Sequence, residues 1–395
     1  MSVALGSERG AQLRVTPVTR NLPQADSESR KHSARVAVHI KDIIRGDGGW
    51  VPFAKYMDLA MFAPGLGYYS AGAAKIGAAG DFTTAPEMTT LFGATLAKQV
   101  AQVLGAIGGD VLEFGAGSGK LARDLLRGLR KLGCEPRRYL ILEPSPDLRE
   151  RQMALLKKEI PEFSSRLCWI DRMPENFCGA MIANEVLDAM PIDLISWQAD
   201  GVYERGVAVS NGEFIWRNRK LESGALLVHA QSVRVASGYA SEIHRAGAAF
   251  VRSVGDALKH GVALLIDYGF LDHEYYHADR STGTLMCHYR HRAHTDPFFM
   301  PGAQDITAHV NFSAMIDAAR GAGLEIEGYT TQAKFLIASG ITDQLSQIDP
   351  SDAAQYLPLA NQAQRLLSPA EMGELFKVLA IGRGIDFSLL GFSNL

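Results

Sequence analysis

The spacing of apolar positions changes several times along the chain, and each change marks an element. In "VAVHIKDIIRGDGGWVPFAKYMDLAMFAPGLGYY" it predicts two short helices and a Gly/Pro/Tyr turn. Thr84-Ala85-Pro86-Glu87 then has the form of a capping box, with Pro in the first turn. Met88, Leu91, Phe92, Leu96, Val100, Val103, Leu104 and Ile107 follow at helical spacing. Asp110 to Phe114 reads as a first buried strand. After it come a helix "KLARDLLRGLRKLG", a strand "RYLILEP", a helix from about Asp147 to Ile160, and strands "LCWID" and "GAMIANE". Such alternation belongs to a doubly wound α/β sheet. Between Pro191 and about Val235 the rhythm breaks. There Asp200-Gly201 and Asn211-Gly212 sit between alternating apolar runs, which predicts inserted antiparallel strands. The helix "ASEIHRAGAAFVRSVGDALKHG" and the strand "VALLIDYG" return to the core. The polar stretch from Phe270 to Phe312 reads as a long functional loop. A helix from about Ser313 to Gly321, a strand "LEIEGYTT", a helical stretch through Arg365 and a strand "FKVLAIGRG" close the chain.

Composition narrows the function classes. The 395 residues can bury a large core, and 47% hydrophobic with 21% charged residues is the balance of a soluble globular protein. A formal net charge of −3 gives no global basic field for nucleic acid. No uninterrupted apolar run is long enough to span a bilayer, which argues against stable membrane insertion. The four cysteines, Cys134, Cys168, Cys178 and Cys287, form no C-x-x-C pair and fit reduced thiols. Residues 1–35 are polar and aperiodic, the pattern of a disordered leader. They lack the apolar stretch of a secretory signal, and Glu8, Asp26 and Glu28 weaken a mitochondrial transit reading. The expected division is a leader (1–35), an N-terminal helical cap (36–109), a core (110–190 and 236–395) and an inserted β region on the substrate side (191–235).

The chemistry starts at "VLEFGAGSGKL". A phosphate-binding loop needs a glycine where Phe114 stands and Ser or Thr where Leu121 stands. A dinucleotide fingerprint needs its third glycine at Lys120. What remains is Glu113-x-Gly115-x-Gly117-x-Gly119. A carboxylate beside this turn repels a pyrophosphate but suits an ammonium and a sulfonium, the two charges of S-adenosylmethionine. Ligands of open α/β sheets bind at the carboxyl ends of the strands. Those ends carry Glu113, Glu143 (placed for ribose hydroxyls), Asp171 (for an adenine amine), Asn184-Glu185 and Asp267-Tyr268. One such acid is usually a helix cap or a solvated turn. The set in register with a glycine turn describes a nucleoside site without a phosphate clamp.

The segments "GYY", "GAAGDFTTAPEMTTLFG", "LEFGAGSGKLARDLL", "ILEPSPDLRERQ", "NEVLDAMPID", "LIDYG", "GTLMCHYRHRAH" and "PGAQDITAHVNFS" resemble, in this order, the MidA family. The likeness runs from about Val38 to the C-terminus. Members are S-adenosylmethionine-dependent protein arginine methyltransferases that assist assembly of respiratory complex I. The resemblance implies a Rossmann-like seven-stranded methyltransferase core, its last strand slipped in antiparallel, with the helical cap and the inserted antiparallel β region around it. It implies an arginine acceptor, plausibly on a quinone-site subunit of respiratory NADH dehydrogenase. A bacterial member would work in the cytoplasm, a eukaryotic one in the mitochondrial matrix.

A guanidinium is charged at neutral pH, and carboxylates grip it bidentately. Glu185 and Asp188 leave one strand three residues apart and are the first candidates, with Asp81, Glu87 and His309 as further ones. The "DFTTAPE" segment is placed to close over the cofactor and brings Phe82 and Thr84 to it, while Phe114 offers a ring to the adenosine. Glu87 serves equally well as the capping-box partner. The stretch Cys287 to His294 invites a metal, but Arg290 and Arg292 repel a divalent cation, so a basic loop meeting an acidic protein partner is the better reading. Two rivals stand beside the protein methyltransferase: a small-molecule methyltransferase on the same core, and a cofactor-binding assembly chaperone that acts by docking. The sequence leaves the oligomeric state open, a homodimer included.

Overall fold

The structure is a computed structural model that describes residues 22–71 and 84–393. Its central sheet is built from β1 (Asp110–Phe114), β2 (Tyr139–Leu142), β3 (Leu167–Ile170), β4 (Phe177–Asn184), β5 (Leu258–Phe270), β6 (Glu325–Thr331) and β7 (Phe376–Arg383). The strand order is β3-β2-β1-β4-β5-β7-β6. β1 to β5 pair in parallel, and β7 inserts antiparallel to both β5 and β6, as expected. A two-residue strand, Val310–Asn311, adds an eighth member beside the end of β5.

Alternating side chains split the core into two layers. On one face Val111, Ile141, Ile182 and Leu264 meet Leu96, Val100, Leu125 and Leu129 from the helices Thr90–Ile107 and Lys120–Lys131. On the other, Leu112, Met181, Ala263 and Leu265 meet Val251, Val254, Met315 and Ala319 from Arg245–Ala257 and Phe312–Gly321. The helix Thr90–Ile107 therefore packs as part of the core, not of the cap expected over residues 36–109. At the amino ends of the strands, Gly179 stands between Asp110 and Gly261 in register. A Cβ on Gly179 would lie 2.0 Å from the Asp110 carbonyl oxygen, so only glycine fits.

The cap is wider than its sequence suggested. A helix over Ser27–Gly46 begins inside the expected leader, with Asp26 as N-cap accepting from the Ser29 amide. Val36, Ile40 and Ile44 form its narrow buried stripe. Trp50–Pro52 pairs with Gly206–Ala208, joining the inserted strands Asp193–Gln198, Gly201–Ser210, Glu213–Lys220 and Tyr239–Ile243 in a five-stranded sheet. Asn211 and Gly212 both have positive φ, 50° and 81°, the hairpin turn expected there. The insertion runs to Ile243, beyond the expected boundary at 235, and the returning helix starts at Arg245. The polar stretch is no simple loop either. It forms a three-stranded sheet of Met286–Tyr289, Arg292–His294 and Asp305–Thr307. Val36, Tyr56, Met57, Ile192, Val207, Cys287 and Ile306 share one apolar cluster, so cap, insertion and polar stretch pack as a unit. No helix among the described residues is long and apolar enough to cross a membrane.

Candidate active site

A cavity of about 910 Å³ opens at the carboxyl ends of β1, β2 and β4. Phe62, Pro64 and Tyr69 of the cap form its opposite wall. The glycine turn lies along it, with Gly115, Gly117 and Gly119 all at positive φ (59°, 53° and 88°), where a side chain would be strained. Gly115 and Gly117 line the cavity. Gly119 instead caps the helix Lys120–Lys131 and faces Gln152.

Two carboxylates line this part. Glu113 is buried and accepts from the Tyr139 hydroxyl at 2.6 Å. Burial drives its pKa up to about 7, the Tyr139 bond opposes this, and Glu143 adds to it. Glu143 is also pushed upward, first by burial, while the Ser145 amide (2.9 Å) and Gln152 Nε2 (3.0 Å) favour its charged form. Gln152 is wholly buried and brackets the site: it donates to Glu143 and to the Gly117 carbonyl, and accepts from Trp169 Nε1. Phe114 and Phe250 meet edge to face, 5.0 Å apart, in the same wall.

The other end is acidic. Glu185 follows β4 with φ 53°, a strained conformation for a non-glycine residue, and lines the cavity. Burial, then Asp188, raise its pKa to about 8. Behind it, Asp267 accepts from the amides of Leu187, Asp188 and Tyr268 and so fixes the turn after β4. Asp188 Oδ2 accepts from the Tyr268 hydroxyl at 2.6 Å. Burial raises the pKa values of both Asp188 and Asp267. The Ala308 amide donates to the Asp188 carbonyl, which ties the "DITAH" segment to this turn.

Glu113 and Glu143 suit an ammonium and ribose hydroxyls, the glycine turn permits close approach, and the cavity has room for a nucleoside. The residues present therefore fit S-adenosylmethionine. The family model described as "Putative S-adenosyl-L-methionine-dependent methyltransferase" matches residues 95–330. A Burkholderia thailandensis crystal structure bound to S-adenosyl-homocysteine is 49% identical, with a TM-score of 0.92 over 94% of this chain and 98% of that one. The Danio rerio "Protein arginine methyltransferase NDUFAF7, mitochondrial" is 29% identical over 84% of this chain and 83% of its own. The Drosophila melanogaster NDUFAF7 homolog, also named a mitochondrial protein arginine methyltransferase, is 25% identical over 94% and 91%. The chain belongs to the MidA family. It is an S-adenosylmethionine-dependent methyltransferase.

In this MidA-family chain the structure brings Glu113, Gly115, Gly117, Glu143, Asn184, Glu185, Thr84 and Glu87 to one cavity. Others fall elsewhere. Asp171 is exposed and pairs with Arg149 at 2.6 Å, so it does not line the cavity. Thr84 makes no side-chain cap bond, and Glu87 instead binds Ser118 and Lys120 (2.6 Å), which overturns the capping box. His309 packs 5.2 Å from the Tyr268 ring. Burial, with Arg280 nearby, holds its pKa down at about 4, so it is a neutral packing group outside the cavity wall. Asp188 lies just behind the wall. Asp81 and Phe82 lie outside the described residues. Cys287 and His294 are cross-strand neighbours, and no group of three ligands able to hold a metal occurs among the described residues. Sequence reasoning missed Tyr69, Tyr139, Gln152 and Asp305. Tyr69 and Asp305 sit inside the quoted "GYY" and "DITAH" segments, but only tertiary contact shows what they face.

Proposed function

We propose that this methyltransferase acts on an arginine of a protein substrate, with a quinone-site subunit of respiratory NADH dehydrogenase as the natural protein. The observation that carries the reading is the acidic end of the cavity, where Glu185 lines the wall and Asp188 lies just behind it. The NDUFAF7 relatives, named protein arginine methyltransferases, support the acceptor type. An identity of 49% to a Burkholderia protein, against 25–29% to the mitochondrial relatives, favours a bacterial cytoplasm as the place of action.

When bound, S-adenosylmethionine supplies a methyl group on a positively charged sulfur. Glu113, Glu143 and the glycine turn would hold its charged and hydroxyl groups, and the Phe114–Phe250 pair would offer apolar surface. At the far end, a guanidinium turns the buried carboxylates back to their charged forms and is oriented by them. Methyl transfer from that sulfur to a guanidinium nitrogen would release one guanidinium proton, because the product guanidinium keeps a single charge. Glu185, which lines the cavity, takes that proton. Asp188, held by Tyr268, steadies the cation.

The test is transfer of isotopically labelled methyl from S-adenosylmethionine into protein from a strain lacking this enzyme, followed by amino-acid analysis. Label on arginine in a respiratory subunit is the expected result. Label only in small molecules would favour the small-molecule acceptor, and no label with cofactor binding intact would favour a docking role.

A further inference from the structure

The wall facing Glu185 belongs to the cap. Tyr69 lines the cavity and its hydroxyl donates to Asp305 Oδ1 at 3.3 Å. Asp305 is 3% exposed and opens the strand Asp305–Thr307, where it sits in register with His288. Three residues further on, the Ala308 amide donates to the Asp188 carbonyl, and Asp188 is 6% exposed. Its Oδ2 is held by Tyr268, while Oδ1 is buried with no hydrogen-bond partner. Glu185 lines the same cavity as Tyr69. Burial raises the ionisation of Tyr69 well above the usual range, with Asp305, Asp188 and Glu185 adding to the shift.

A phenol that gives its hydrogen to Asp305 keeps its oxygen free to accept. The Tyr69 oxygen, Asp188 Oδ1 and the Glu185 carboxylate, which already accepts from Asn184 Nδ2 at 3.2 Å, are then three acceptors, brought from two layers of the fold. Buried acceptors require donors, and buried negative charge requires a cation. A cationic group with several N–H bonds meets both needs at once.

We propose that Tyr69 and Asp305 form the cap-borne half of the acceptor subsite. Tyr69 contacts the incoming cation, and Asp305 is a positioning residue that draws the phenolic hydrogen away from it. This deepens the arginine reading and rests on it for the natural acceptor. The arrangement itself would hold any cationic N–H donor at the methyl-transfer end.

Sinefungin tests this without a known protein substrate, because it carries an amine on the carbon that replaces the sulfur of S-adenosylhomocysteine. The ratio of the two affinities, measured by calorimetry, reports how strongly the site holds a cation there. Tyr69→Phe is expected to lower the preference for sinefungin by about threefold to tenfold, the worth of one hydrogen bond, and Asp305→Asn, which still accepts the phenolic hydrogen but removes the charge behind it, by about threefold. Affinity for S-adenosylhomocysteine should stay within about twofold of wild type, since neither residue holds the rest of the nucleoside. An unchanged ratio in Tyr69→Phe overturns the proposal, and so does equal weakening of both ligands, which marks a merely structural role. An unchanged ratio in Asp305→Asn alone overturns the part given to Asp305. Should Asp305→Asn fail to fold, Tyr69→Phe keeps the ring and decides alone. Failure of the arginine reading shows separately, as no methylarginine while the ratio still falls.

Discussion

Replacing Glu113 with glutamine should stabilise the cofactor-free protein and weaken its cofactor binding, in opposite senses and with a defined pH dependence. Glutamine keeps the shape and still accepts from Tyr139, so the change removes charge and little else. Burial raises the Glu113 pKa from 4.5 to about 7. In that interval the folded protein binds a proton that the unfolded chain has lost. The stability contributed by the protonated form is therefore complete below 4.5 and is lost as pH rises through 7. At ~1.4 kcal/mol per pH unit, the buried charge costs about 3 kcal/mol at pH 8. Urea unfolding of the cofactor-free proteins should show Glu113→Gln near wild type at pH 5 and more stable by about 2–3 kcal/mol at pH 8. Calorimetry should show affinity for S-adenosylmethionine lower by about 100-fold at pH 8, the scale of removing one partner of a buried charge pair. Wild-type affinity should strengthen from pH 6 to 8 as Glu113 ionises, and the variant should be flat across that range. A variant equally destabilised at both pH values, or one binding the cofactor as tightly as wild type, would refute the reasoning.

Three further outcomes follow from the same structure. Tyr139→Phe removes the hydrogen bond that favours the charged form of Glu113, worth about 1.5–3 kcal/mol. The rise of cofactor affinity with pH should move up by about one to two pH units, and an unmoved titration in calorimetry would contradict it. Asp110 is chelated by Arg137 and Arg138, which hold its pKa below 3.8 against burial. Asp110→Asn should cost about 2 kcal/mol at pH 7, a difference from wild type that shrinks as pH falls through 3.8; a constant difference in urea unfolding would count against the chelate. Gly179→Ala should lower stability by about 3 kcal/mol or more, because its Cβ would meet the Asp110 carbonyl at 2.0 Å; a melting temperature within about 2 °C of wild type would show that the strands can part there.

The doubly wound core was legible because its signals are local. β1 to β5 are apolar runs, and the parallel order follows from their alternation with helices. The carboxylates at the strand ends were legible for the same reason: Glu113, Glu143 and Glu185 each follow or end a recognisable run. Asp171 shows the limit of that logic, since it is exposed and pairs with Arg149 instead of lining the cavity. The cap was harder to read. Its strands are buried on one side and pair with partners far away in sequence, as Trp50–Pro52 does with Gly206–Ala208. The stripe of Val36, Ile40 and Ile44 is too narrow to announce a helix that starts at Ser27. Tyr69 and Asp305 meet only because two such elements fold together, so their hydrogen bond has no counterpart in the one-dimensional pattern.

The central claim is that one cavity binds the methyl donor at Glu113 and Glu143 and presents the acceptor to Glu185. Single-turnover transfer from pre-bound labelled S-adenosylmethionine, with wild type and Glu185→Gln side by side on the same arginine-bearing protein fraction, tests it most directly. Both proteins should bind the cofactor within about threefold of each other, while the rate of methylarginine formation should fall by about 100-fold or more in the variant. Equal rates at equal occupancy would contradict the claim and remove Glu185 from the chemistry.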